Sequence, residues 1–442
     1  MKLPSIKGFD EEALKKYFKN TGMLLIGKVG SMGIKMLSSI AVANYLLSYG
    51  NGILTTSVAY VFLFAALAGL GLDQFVVKEL HQFPDKRDHI LGTAFFMKSF
   101  AGVLCIPLIY IAWLIYPLEG IEYAYIFLLS FMGIFQSFTI IDSYFQSEVK
   151  SKYIMQVQII GNLVSALIKV ALILTHSSIT LFFVAYLLDV ILLSIGYIIT
   201  YNRKGRSIFT WKYEAKLTKK LLSLSWPLII SGIMVSIYMR IDQIMLKQLL
   251  GERGISEAGA YNTVVMFAEA LNFVPVAIVS SLFPAILNAR RDDKERYQKR
   301  LQNLYDLMVW MSLSFAIFIT FASPLIYKLY KPEFLSAAPV LSVHVWGCAF
   351  VFLGVASGQY LIAENLGRLS FIRTGLGAIT NIVLNLILIP KLGMMGTAIA
   401  TVAAYFVSTF MVLLFKSTRK QGFMMLKSLF LVTAFQKLTK KN

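Results

Sequence analysis

Apolar residues run through this chain in stretches of about 20, separated by short polar or basic connections. A helix of that length crosses roughly 30 Å of hydrocarbon at 1.5 Å per residue, so the pattern predicts transmembrane helices and not a barrel. Spans fall at about 20–47, 52–77, 90–116, 123–148, 153–175, 179–201, 223–250, 258–288, 303–329, 339–363, 373–390 and 394–416. The expected fold class is an all-α polytopic membrane protein of about 12 transmembrane helices.

One inner connection is longer than the rest, and it divides the chain into six spans plus six. The organisation read from this is a head at 1–19, a six-helix lobe at 20–201, a cytoplasmic linker at 202–222, a second six-helix lobe at 223–416 and a basic tail at 417–442. The head and the tail segment Phe423–Phe435 are amphipathic or too short to cross, and are expected to lie in the cytoplasmic interface. The two lobes read as a pseudo-two-fold repeat. Asn20–Ala41 overlays Ser225–Leu246 at an offset of 205, which puts Lys35 on Arg240, and the sequence from Gly161 overlays that from Thr380, which puts Asn162 on Asn381.

Composition agrees with the pattern: 57% of the residues are apolar and 15% charged, against about 25% charged in a soluble domain. The net charge of +19 is a matter of topology. Of the 42 basic residues, 32 fall on one side of the predicted membrane and four on the other, so that side is cytoplasmic, both termini are inside, and no nucleic acid is needed to explain the charge. Outward connections at 47–51, 117–122, 176–178 and 391–393 leave no room for an external domain. The first apolar run follows a charged head without a small-residue cleavage site, which reads as a retained helix and not a signal peptide. Cys105 and Cys348 lie inside apolar runs with no metal-ligand spacing, and read as inert core residues; no metal site is expected.

Six cations fall inside spans: Lys28, Lys35, Lys98, Lys169, Arg240 and Lys247. Facing lipid, each would cost roughly 2.5–3.5 kcal/mol, together more than the roughly 5–15 kcal/mol stability of a typical domain. Lys28, Ser31 and Lys35 share one helical face, as do Gly232, Ser236, Arg240, Gln243 and Lys247. Two repeat-related helices thus each carry a small, polar, cationic stripe, as an anionic ligand inside the bundle would require. Lys28 and Lys98 near the inner surface and Lys247 near the outer one are also within snorkelling reach of an interface. Lys35 and Arg240 are too deep for that, and all six are candidate substrate-binding residues.

Carboxylates in the spans are Asp142, Asp189, Asp242, Glu269 and Asp306. Asp189 and Glu269, the deepest, and Asp142 and Asp242 are candidates for proton or sodium coupling, with structural pairing to a cation as the competing role. Asp242 lies about 200° around the helix from Arg240, so those two do not pair within it. His344 reads as a satisfied core histidine before a proton relay. Pro275 is expected to kink the eighth span, for rocking motion or for packing. No nucleotide-binding, nucleophile-elbow or metallohydrolase motif occurs, so neither an enzyme nor a pump driven by ATP on this chain is expected, and no cofactor beyond a coupling ion.

The segment FIRTGLGAITNIVLNLILIPKLGMMGTAIATVAAYFV, Phe371–Val407, resembles the eleventh and twelfth spans of the oligosaccharide flippases, the polysaccharide transporters that include O-antigen flippases, of the multidrug/oligosaccharidyl-lipid/polysaccharide exporter superfamily. The features carrying the resemblance are Asn381 and Asn385, then Ile389-Pro390 and Gly396-Thr397-Ala398. IYMRIDQIMLKQL, AEALNFVPVAIVSSLFPAIL and GLGLDQFVVKEL are similar to that family as well, so nearly the whole chain is covered. Asn162, Asn381, Pro275 and Pro390 are expected to shape helices and not to read sugars. The resemblance implies a V-shaped, two-lobed bundle with a cationic cavity in the bacterial cytoplasmic membrane. It implies alternating access for polyprenyl-diphosphate-linked repeat units of O-antigen, capsule or exopolysaccharide. Membrane lipids, a polysaccharide polymerase and chain-length machinery are the implied partners.

The rivals differ in where charge should sit. An ion-coupled exporter of small cationic molecules shares the fold but leads with buried carboxylates, against six intramembrane cations here. A lipid II flippase typically has fourteen spans. A membrane polymerase or ligase needs a sizeable outward loop, and a passive scaffold does not need buried charge.

Overall fold

A computed structural model describes residues 11–364 and 366–433, and every regular element among them is helical. In order these are α1 (Glu11–Phe62), α2 (Ala65–Gly69), α3 (Asp73–Gln82), α4 (Arg87–Ile115), α5 (Tyr123–Ser130), α6 (Met132–Phe135), α7 (Ile140–Ser147), α8 (Lys152–Leu174) and α9 (Ile179–Arg203). There follow α10 (Ala215–Ala270), α11 (Phe273–Asp292), α12 (Lys294–Ile326), α13 (Ala337–His344), α14 (Cys348–Ala363), α15 (Gly367–Leu392), α16 (Met394–Phe410) and α17 (Arg419–Leu429).

Two helices are kinked at single residues: α1 at Leu47 (φ 63°, ψ 178°) and α10 at Gly251 (φ 61°, ψ −134°). Glycine takes a positive φ at little cost, whereas leucine does so at a strain of about 1–3 kcal/mol that packing must hold. The kinks lie 204 residues apart, one short of the offset that lays Lys35 on Arg240.

Nine continuous segments are long and apolar enough to cross a membrane, and Gly27–Phe62 with Ala65–Gln82, bent by 46°, makes ten. Ala215–Ala289 has 75 residues, about 110 Å of helix against roughly 30 Å of hydrocarbon, so it is two crossings divided at Gly251. The bent pair divides likewise at Leu47, which gives twelve crossings among the described residues. The chain is an all-α, multi-pass membrane protein.

The head expected at 1–19 lies partly outside the described residues, and from Glu11 α1 continues unbroken into the first span. The tail segment Phe423–Phe435 also runs past them. Its described part forms most of α17, which is packed on α12: Met425 is fully buried, Gln421 donates to the Tyr305 hydroxyl (2.8 Å), and Ser428 and Thr433 donate to Asp306 (2.7 and 2.6 Å).

The chain forms two compact units, one of residues up to Tyr45 with Tyr60–Ser236, the other of Leu46–Ala59 with residues from Ile237. The division runs through helices and not through the linker at 202–222. In the first unit the core gathers Leu72, Ile90, Leu91, Phe145, Tyr201 and Leu221. The linker is fastened to it: Lys212 N–H donates to the Asp88 carbonyl, Glu214 N–H to Thr93 Oγ1, and Trp211 packs on Phe95 and Tyr201. Lys220 pairs with Glu79 at 2.7 Å, which holds the start of α10 in this unit.

In the second unit the core gathers Phe283, Leu304, Tyr305, Met308 and Phe352. The start of the second crossing is seated there by Asn51 Nδ2 on the Gly259 carbonyl (2.8 Å), and by Ser48 N–H and Oγ on the Glu333 carboxylate (3.0 and 2.8 Å). Gly52 and Gly259 let the two backbones touch, since a Cβ on Gly259 would collide with the Ser48 carbonyl and lie 2.6 Å from Gly52 N. Gly259→Val is therefore expected to destabilise the protein by about 1–3 kcal/mol, read as a lower melting temperature in detergent.

Candidate functional site

In the first unit three charged side chains meet. Lys169 on α8 is buried and pairs with Asp189 on α9 at 2.6 Å, with its ammonium 4.3 Å from the Tyr186 ring. Lys35, in the middle of the first crossing, is exposed, has no ion-pair partner among the described residues, and lies within electrostatic reach of both Asp189 and Lys169. Two cations share one carboxylate, so the patch is net positive. One turn away, Asn162 donates to Ser31, tying α8 to α1. Its partner Ser31 lies on the helical face of α1 that carries Lys28 and Lys35.

The other predicted cations of this unit separate into two kinds. Lys98 is 2% exposed and hydrogen-bonds Asp73 (2.5 Å) and Thr139 Oγ1 (3.2 Å), so its charge is spent within the protein. Lys28 is exposed on α1. Asp142 is half-buried and accepts from Gln146 of its own helix at 3.1 Å.

In the second unit Arg240 on α10 pairs with Glu269, farther along the same kinked helix, at 3.0 Å. Asp189 and Glu269, the carboxylates expected to be deepest, are thus each paired with a cation, the structural role that competes with ion coupling. Lys247 is buried, with no ion-pair partner among the described residues.

Asp242 is different. It is 4% exposed and has no ion-pair partner among the described residues; it accepts hydrogen bonds from Asn385 Nδ2 (2.7 Å), Thr401 Oγ1 (2.8 Å) and the Tyr261 hydroxyl (3.1 Å). Asn381 donates to Thr401 Oγ1 (3.3 Å), and Tyr261 meets His344 Nδ1 at 3.3 Å. The side-chain oxygen of Asn385 is buried without a hydrogen-bond partner. A buried carboxylate ringed by two hydroxyls and an amide, with one amide oxygen orphaned beside it, is a group suited to take up a proton or a small hard cation. A cavity of about 20 Å³, room for a water or two, opens on Asp242, Glu269, His344 and Thr401. Asn381, expected to shape a helix, and Asn385, one of the residues carrying the family resemblance, belong to this ring.

The two prolines expected to shape helices lie near helix ends. The eighth crossing is broken at Leu271–Asn272, before Pro275, which stands in the first turn of α11; a proline's missing N–H and its ring act on the preceding turn, so the interruption falls upstream. Pro390 is exposed in the last turn of α15, ahead of Gly393 (φ 56°).

Sequence reading missed one residue. Arg373 stands at the predicted edge of the eleventh span and is not among the six intramembrane cations, but α15 begins at Gly367 and places it two turns inside, where Nη1 donates to the Gly354 carbonyl at 3.0 Å. A signal was available, since Arg373, Gly377, Asn381 and Asn385 follow one another at intervals of four on a single helical face.

Paired charges and a polar, cation-sized ring are thus held inside a multi-pass helical membrane protein. The chain belongs to the polysaccharide biosynthesis protein family, whose model matches residues 17–289. It is 29% identical over 240 residues to the uncharacterized membrane protein MJ1068 of Methanocaldococcus jannaschii, covering 51% of this chain and 45% of that protein. Over 216 residues it is 25% identical to the uncharacterized membrane protein YabM of Bacillus subtilis, 46% of this chain and 39% of that one. The match thus spans less than half the length of either relative. Among solved structures the fold is similar to the lipid II flippase MurJ in an inward closed conformation, with a TM-score of 0.70 at 17% identity over 93% of this chain and 92% of that one. An inward-facing multidrug resistance MATE family transporter of the MOP superfamily matches with a TM-score of 0.67 at 14% identity, covering 92% of this chain and 96% of that one.

Proposed function

We propose that this protein is a flippase that carries a lipid-linked, negatively charged glycan across the bacterial cytoplasmic membrane by alternating access. The observation that carries this reading is Lys35: a cation deep in the first crossing, exposed, without a carboxylate partner among the described residues, beside a buried Lys169–Asp189 pair that leaves the patch net positive. An ammonium in that setting suits a phosphate group, and a diphosphate linking lipid to sugar presents two or more negative charges whatever the sugar. In the second unit Arg240, held by Glu269, supplies a planar guanidinium of its own, a group equally suited to phosphate. The family assignment, polysaccharide biosynthesis, supports a glycan as cargo.

The cation-exporter reading has less support. Its substrates would need free carboxylates inside the bundle, whereas Asp189 and Glu269 are engaged by Lys169 and Arg240. Asp242 is the carboxylate open to a coupling ion, so it is the site we assign to sodium or proton binding. A polymerase acting on the delivered repeat units, with chain-length machinery, follows as the partner on the far side of the membrane.

The test is complementation of a flippase-deficient strain by wild type, Lys35→Ala and Arg240→Ala, scored by surface polysaccharide and by lipid-linked repeat units on the inner leaflet. Wild type is expected to restore surface polymer, while Lys35→Ala inserts normally, accumulates inner-leaflet intermediate and cuts export at least tenfold. Full complementation by Lys35→Ala would remove the site, and failure of wild type with several repeat-unit chemistries would remove the substrate class.

A further inference from the structure

We infer that Arg373 is a second anion-binding residue, in the inner half of the second unit, and that it takes a phosphate-class group. The inference rests on the flippase reading above and adds a site to it. Arg373 is partly buried on α15. Of the five N–H donors in its guanidinium, a single one has a protein acceptor among the described residues, the Gly354 carbonyl at 3.0 Å. No carboxylate lies within ion-pair distance among the described residues, in contrast to Lys98, Lys169 and Arg240, each of which has one.

The surroundings are built to admit the group and then leave its fork open. Gly354 and Gly358 stand four residues apart on α14, and a Cβ on Gly358 would lie 3.5 Å from Arg373 Nη2, so the side chain lies along a strip of bare helix backbone. Tyr238 of α10 and Tyr305 of α12 are within electrostatic reach. Tyr305 is itself fixed by Gln421 of α17, which also holds Ser357 Oγ at 3.0 Å. A guanidinium so placed cannot lose its proton, and leaving it uncompensated inside a membrane bundle is expensive. Its charge calls for an anion that the described residues do not supply, and a planar fork with open donors favours two-point contact with a phosphate oxygen pair over single-point contact with chloride.

The experiment uses the full-length protein in nanodiscs and inorganic pyrophosphate as the probe, read by titration calorimetry and by the pyrophosphate-induced rise in melting temperature. Arg373→Gln is expected to weaken binding about 10- to 100-fold. Arg373→Lys keeps the charge but loses the fork, and is expected to weaken it about fivefold; this variant and Tyr238→Phe carry the test should Arg373→Gln fail to fold. Lys35→Gln runs alongside. If both Arg373 variants bind pyrophosphate like wild type while Lys35→Gln does not, Arg373 is a structural cation and this inference falls with the flippase reading intact. If the Arg373 variants lose affinity and Lys35→Gln does not, the new site stands and the role given to Lys35 fails. Absence of binding in wild type overturns both. A purely structural Arg373 would lower the melting temperature without changing the shift that pyrophosphate produces.

Discussion

Lys169→Ala is expected to lower stability by about 3–5 kcal/mol, because it strands Asp189 inside the bundle without its counter-ion. Replacing both partners, Lys169→Met with Asp189→Leu, is expected to recover most of the loss, since a buried ion pair exchanged for apolar groups of similar volume is often neutral. Lys35→Ala is expected to leave the melting temperature close to wild type, as Lys35 is exposed and has no ion-pair partner among the described residues, and yet to abolish export. Melting curves in detergent, set beside the complementation assay, separate a cation that holds the protein together from one that holds the cargo. A Lys35→Ala variant as unstable as Lys169→Ala would show that Lys35 has a structural partner, and its place in the site would be lost.

That separation marks the boundary of what periodicity can deliver. The crossings were legible because bilayer thickness imposes a run of about 20 apolar residues on each helix. The cationic face of α1 was legible because Lys28, Ser31 and Lys35 keep helical spacing. Which carboxylate meets which cation was not, because Lys169 and Asp189 stand on different helices, and their meeting depends on how α8 and α9 are rotated and slid against one another. The polar stretch Ser48–Asn51 reads as an outer loop. Instead the helix resumes at once after a single kinked residue, and Ser48 and Asn51 spend their polarity on Glu333 and the Gly259 carbonyl. Arg373 was hidden by a similar ambiguity, since two arginines in a short inner segment resemble a connection until the helix is seen to begin at Gly367. Asn381 and Asn385 were visible as unusual polar residues in an apolar helix. Their service to Asp242, on a helix more than a hundred residues earlier in the chain, belongs to tertiary structure alone.

Asp242→Asn is expected to uncouple transport while leaving the protein folded. The substitution is nearly isosteric, and it exchanges an anion held by three neutral donors for a neutral amide. If the ring around Asp242 takes up sodium, wild type should gain stability with salt in proportion to the logarithm of sodium concentration once its dissociation constant is exceeded. That gain reaches about 2.7 kcal/mol at a hundredfold excess, and Asp242→Asn should be flat. The comparison is made at constant ionic strength with potassium or choline replacing sodium, so that general screening cancels. A response to pH in wild type that is lost in the variant, with no response to sodium, would assign the site to protons. The orphaned Asn385 oxygen sharpens the choice, because it can ligate a sodium ion directly, whereas a proton on the carboxylate would leave it unsatisfied unless the amide turns. Asn385→Leu should therefore abolish a sodium response and only weaken a proton response. If wild type and Asp242→Asn melt alike in every ion and at every pH and both export normally, the ring is a structural polar knot and the energy for transport enters elsewhere.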